Sequence, residues 1–149
     1  MICVDASLAA KWVLPEEHRA EALALLRATL ERGEPIIAPP LLPIEVTNIL
    51  RQRLRRADDA LTLDEAVQAL RAFLTLPLVL TTPDDLHERS LRLADAHGLP
   101  AVYDAYYVAL AQTAGCDLWT ADRRLLRLLG ERASFARFIG DYVEGEPPL

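Results

Sequence analysis

Four acidic residues in this chain stand where chemistry could be done. Asp5 ends the apolar run Ile2-Cys3-Val4, and Glu45 lies shortly beyond the apolar stretch Ile36-Ile37-Ala38. Asp104 opens a strongly apolar segment running to Ala114, and Asp122 follows Cys116-Asp117-Leu118-Trp119-Thr120. Each has an ordinary explanation taken alone. Asp5, Asp104 and Asp122 could cap helices or complement their dipoles, and Glu45 could pair with a neighbouring arginine. Gathered in one place they would behave differently, because carboxylates without matching bases repel one another and hold raised pKa values unless cations neutralise them. An oxygen-only cluster suits Mg²⁺ or Mn²⁺, and Mg²⁺ typically keeps waters and borrows phosphate oxygens from a substrate. The chemistry implied is metal-assisted hydrolysis of a phosphodiester, with the ion activating a water and stabilising charge on the phosphoryl oxygens.

Whether the four acids meet depends on the elements that carry them. Ile2-Cys3-Val4 has no polar alternation, as expected of a strand buried on both faces of a mostly parallel sheet. Similar short runs recur at Ile36 to Ala38, within Leu76 to Leu80, and at Cys116 to Thr120, with a last strand expected between Ala133 and Tyr142. Between them the pattern predicts helices. One runs from Ala6 to Leu14, stopped by Pro15, and a second from Glu16 to Arg32, closed by Gly33. A third begins near Leu41 to Pro43 and carries Glu45 and Asn48 on one face. After a polar turn at Asp58 to Leu61, Thr62 and Glu65 have the spacing of a capping box for a helix reaching Thr75. Asp84 and Asp85 read as capping residues for a helix ending at His97-Gly98. Two more helices are expected at Ala105 to Ala114, with Asp104 in its first turn, and at Arg123 to Leu129. Regular alternation of this kind predicts one α/β domain, a mostly parallel central sheet flanked by helices in three layers. In such folds ligands bind at the C-terminal edge of the strands, and all four acids can converge there. The domain is expected to span residues 1–142, with a flexible tail over 143–149.

Composition narrows the class. The chain has 149 residues, 52% of them hydrophobic, and a formal net charge of −6, so it can bury a core but has no general basic field for nucleic acid. Only Lys11 among its 16 basic residues is a lysine; arginine is the type suited to bidentate phosphate recognition. Arg51, Arg123 and Arg124, within one or two helical turns of the acids, could hold RNA phosphates or an acidic protein segment. Cys3 and Cys116 lack metal-ligand spacing and are expected to be buried reduced thiols of a cytoplasmic protein. There is no secretory leader pattern or membrane-length apolar run. Trp12, Trp119, Tyr106 and Tyr107 are expected in the core or an interface, and no histidine has paired ligand spacing.

These residues together carry a family resemblance. Ile2-Cys3-Val4-Asp5-Ala6-Ser7, Pro43-Ile44-Glu45-Val46-Thr47-Asn48-Ile49-Leu50, Tyr103-Asp104-Ala105-Tyr106-Tyr107-Val108-Ala109-Leu110-Ala111 and Leu118-Trp119-Thr120-Ala121-Asp122-Arg123-Arg124-Leu125 resemble the PIN-domain family, in particular its VapC-type toxins of toxin–antitoxin pairs. The resemblance implies a Mg²⁺- or Mn²⁺-dependent endoribonuclease with Asp5, Glu45, Asp104 and Asp122 around the metal. Asp5, Asp104 and Asp122 would be the main metal-binding set, completed by Glu45 directly or through water. It also implies that Ser7, Asn48 and Thr120 orient those acids or position substrate, that the protein is a homodimer, and that a VapB-like antitoxin fills the groove. Substrates implied are RNAs such as tRNA or rRNA.

Other classes fit less well. A dehalogenase-like phosphatase would need a second Asp where Ser7 stands, and a receiver domain would need an early acidic pair and a late lysine. No GxGxxG, phosphate-loop or GxSxG motif occurs. A PIN-like module that binds RNA or protein without cutting remains the alternative, which loss of an acid would have favoured.

Overall fold

The computed structural model describes residues 1–58 and 60–145. Asp59, inside the expected polar turn, and residues 146–149 of the expected tail lie outside the described residues. Five short strands, β1 Ile2–Val4, β2 Ile36–Ala38, β3 Leu78–Leu80, β4 Asp117–Thr120 and β5 Ala136–Phe138, form one sheet in the order β3-β2-β1-β4-β5. Every pairing is parallel. The helices are α1 Ala6–Ala9, α2 Arg19–Glu31, α3 Leu42–Arg53, α4 Leu63–Leu74, α5 Leu86–Ala96, α6 Tyr103–Ala114 and α7 Arg123–Leu129. They flank the sheet, with α6 packed on β1 and β4 and α5 along α6.

Burial follows the sequence pattern. All residues of β1, β2 and β4 are buried, while the edge strand β3 exposes Val79 and Leu80. Ile2, Leu8, Ile36, Leu42, Tyr107, Leu110 and Leu118 are almost inaccessible, and each such aliphatic or aromatic side chain contributes about 1.5–3 kcal/mol of transfer free energy. The chain winds outward from β1 to β3, then crosses back to β4 and out to β5. Strand order therefore reverses between β1 and β4, and that is where an open α/β sheet forms its ligand crevice.

Local chemistry sets the element boundaries. The first helix tightens into a 3₁₀ turn at Ala10–Trp12 before Pro15. The second begins three residues later than expected because His18 has φ 60° and the Glu16 carboxylate is taken by Arg53 at 2.8 Å and Lys11 at 3.5 Å. The capping box forms as expected: Thr62 Oγ1 accepts from the Glu65 N–H at 3.2 Å, and Glu65 Oε2 accepts from the Thr62 N–H at 2.8 Å. Asp85 occupies the N-cap position of α5 but makes no side-chain cap; its carboxylate pairs with Arg89 instead. The two cysteines are free, Cys3 buried and Cys116 only partly so, since it precedes β4 rather than lying within it. No helix among the described residues is long and apolar enough to cross a membrane.

Candidate active site

Asp5 leaves β1 at the reversal point, and Thr120 ends β4 beside it. The Asp5 carboxylate, 4% exposed, accepts from Ser7 Oγ at 2.8 Å and from the Leu8 N–H at 3.0 Å on Oδ1, and from the Thr120 hydroxyl on Oδ2. With both hydroxyl protons committed to Asp5, Ser7 Oγ accepts from the Ala121 N–H and Thr120 Oγ1 from the Asp122 N–H, each at 2.9 Å. One carboxylate thus ties the tips of the two central strands together. The Leu8 bond is also a helix cap, so capping and site placement coincide in Asp5.

The same holds for Asp122. Its Oδ1 accepts from the N–H groups of Arg124 at 2.7 Å and Leu125 at 3.1 Å, starting α7. Asp104 lies in the first turn of α6, and its carboxylate makes no hydrogen bond among the described residues. Glu45, in the first turn of α3, accepts one, from the Tyr107 hydroxyl. All four acids line one cavity of about 200 Å³, with Ser7, Asn48 and Tyr107 completing its polar wall. Wider clefts of about 390 to 550 Å³ lie elsewhere, but they gather at most two carboxylates each.

Electrostatics distinguish this cavity from an ordinary polar patch. Burial pushes Asp5 up to about 6 despite three hydrogen bonds that favour its charged form, with a further push from Asp104. Burial also raises Glu45, against its bond from Tyr107 and helped by the charge of Asp104. Asp104 is raised by burial and then by Asp122, and Arg124 opposes the shift. Asp104 is therefore the electrostatic link of the cavity, raising both Asp5 and Glu45 and itself raised by Asp122.

The arginines separate. Arg124 acts on Asp104, whereas Arg123 is turned onto the Phe138 ring, 3.7 Å from its centroid. Arg51 is exposed and does not line the cavity. Of the residues expected to support the acids, Ser7 and Thr120 hold Asp5, and Asn48 lines the cavity with no side-chain bond among the described residues. Tyr107, expected in the core or an interface, also lines the cavity, and its spacing of three from Asp104 on one helix puts both on the same face.

Among the described residues, no three His, Cys, Asp or Glu side chains are arranged to enclose an ion as they stand. Donor chemistry nevertheless fits a hard cation: beside apolar Ala6 and Ile49 the cavity offers four carboxylates and no His or Cys, and Mg²⁺ usually keeps several waters and takes only one or two carboxylates directly.

A family model, the PIN domain, matches residues 2–130. The chain belongs to the PIN-domain family. Its relatives include Ribonuclease VapC12 of Mycobacterium tuberculosis strains CDC 1551 / Oshkosh and H37Rv, 32% identical over 133 residues, which span 89% of this chain and 95% of the relative. Among solved structures, PAE2754 from Pyrobaculum aerophilum is 25% identical with a TM-score of 0.63, over 93% of this chain and 89% of that one. The Mycobacterium tuberculosis VapC20 structure, described as a Sarcin-Ricin loop cleaving toxin, matches the fold with a TM-score of 0.60 at 19% identity, over 99% and 100% of the two chains. The PIN-domain match ends just past α7, so it contains all four acids.

Proposed function

We propose that this PIN-domain protein is a metal-dependent endoribonuclease that hydrolyses RNA phosphodiester bonds and serves as the toxin of a VapBC-type toxin–antitoxin pair. The observation that carries the reading is four carboxylates on four separate elements lining one cavity, three of them with raised pKa. Its likeness to Ribonuclease VapC12 over nearly the whole chain supports RNA as substrate. Residues 1–142 form the nuclease domain.

Asp5, Asp104 and Asp122 bind Mg²⁺ or Mn²⁺, with Glu45 completing the set directly or through water. When bound, the ion supplies a water of lowered pKa and neutralises charge on the phosphoryl oxygens. The chain does the rest. Three donors fix Asp5, so its geometry is set before substrate arrives. Asp104, unrestrained, can turn toward the cation. Arg124 stands beside this negative cavity and can hold a phosphate oxygen or an antitoxin carboxylate, whereas Arg123 must first leave Phe138 to do so. Asn48 offers an amide to a ribose or phosphate. The partners are an RNA such as tRNA or rRNA, a VapB-like antitoxin and a second copy of the chain. The site of action is the cytoplasm, where free thiols such as Cys3 and Cys116 stay reduced.

Incubation of purified, antitoxin-free protein with a pool of tRNA and rRNA fragments, under Mg²⁺, Mn²⁺ or EDTA and beside Asp5→Asn, tests the reading. The expected result is discrete fragments that require metal and disappear in the variant. Absence of cleavage in every condition, with RNA bound equally by both proteins, would establish a non-catalytic binding module instead.

A further inference from the structure

Tyr107 is a core residue by burial, 1% exposed, yet its hydroxyl leaves the core to meet Glu45 Oε2. Phenylalanine would fill the same apolar space; a buried tyrosine is distinguished by the partner its hydroxyl finds. Here the partner is the one glutamate among the four acids of the cavity. Asp5 receives three hydrogen bonds and Asp122 two, both on short side chains next to strand tips. Glu45 has a longer side chain with more rotamer freedom to lose, comes from α3, and receives only the Tyr107 bond among the described residues. Tyr107 and Asp104 sit three apart on α6, so the phenol ties Glu45 of α3 to the helix that carries Asp104.

We propose that Tyr107 is the positioning residue for Glu45: its hydroxyl holds one carboxylate oxygen, so that the other is presented to a divalent ion beside Asp104. This assignment rests on the metal-dependent reading above. It is distinct from a packing role, because it works only through the Glu45 carboxylate. Partners that orient metal-binding groups in this way typically change metal affinity about 10- to 100-fold when removed.

The test is calorimetric titration of Mn²⁺ into RNA-free full-length protein, Tyr107→Phe, Glu45→Ala and the double variant. Melting curves fix a temperature at which all four are folded. Tyr107→Phe is expected to weaken Mn²⁺ about ten-fold in the native background and by less than about two-fold when Glu45 is already alanine. Unchanged affinity, or equal weakening in both backgrounds, would overturn the assignment while leaving the metal site standing. If the unmodified chain takes up no Mn²⁺, the metal reading falls and Tyr107 falls with it.

Discussion

The two ends of one sheet handle negative charge in opposite ways. At the end where the strands begin, Glu34 accepts from Arg32 Nε at 2.9 Å and from the Met1 ammonium at 2.8 Å. At the end where the strands finish, Asp5, Glu45, Asp104 and Asp122 share a cavity with no cation in hydrogen-bonding contact among the described residues. Arg32 and the N-terminus hold Glu34 at about 2, whereas burial drives Asp5 to about 6. Paired charge is architecture. Unpaired, buried charge is a stored cost that a divalent ion would relieve, which is why departures from ordinary pairing mark functional sites.

Exchanging the roles of the two ends gives the largest effect. Asp104→Asn should abolish cleavage while leaving the melting temperature unchanged or higher, since this carboxylate makes no hydrogen bond among the described residues and is repelled by Asp122. Glu34→Gln should leave cleavage intact. A cleavage gel and a melting curve on the same preparations decide it, and an active Asp104→Asn protein would break the contrast.

The pH dependence of the metal-free protein is the next effect in size. Asp5 binds its proton more tightly when folded than at its ordinary value of 3.8. Its contribution therefore favours the fold fully below about 3.8 and is lost as pH rises through about 6. Between pH 5.5 and 7.5 Asp5 alone accounts for about 0.8 kcal/mol of this, or roughly 2–3 °C in melting temperature for a chain of this size. Glu45 and Asp104 shift in the same direction. Scanning calorimetry in EDTA should find the protein more stable at pH 5.5, and added Mn²⁺ should stabilise more at pH 7.5, where protons do not compete. A metal-free protein that is most stable at pH 7.5 would mean the cavity stores no such cost.

Glu34→Gln has the smallest expected consequence for stability, at most about 1 kcal/mol because the pair is partly solvated. That loss should shrink in high salt, and the Mn²⁺ affinity should not move.

Much of the contrast was legible in the residues themselves. Apolar runs without alternation located β1, β2 and β4, and the acids just beyond them predicted a shared edge. The sheet proved wholly parallel, with β1 and β4 adjacent, so Asp5 and Asp122 line one cavity. What periodicity could not carry was side-chain competition. Asp85 turns from its cap to Arg89, Arg123 prefers the face of Phe138 to the cavity, and a backbone reversal at His18 delays α2. Tyr107 was hidden because it satisfies two demands at once, and a helical apolar pattern records only its ring.

Asp122 spends one oxygen starting a helix and offers the other to the cavity, while Asp104 has no such second employment. In a lineage drifting away from activity, the two positions would not decay alike. Loss of the side chain at 122 would fray α7 and be removed by selection for foldability, whereas 104 could change without harm to the fold. An inactive descendant of this protein should therefore show its history first at position 104.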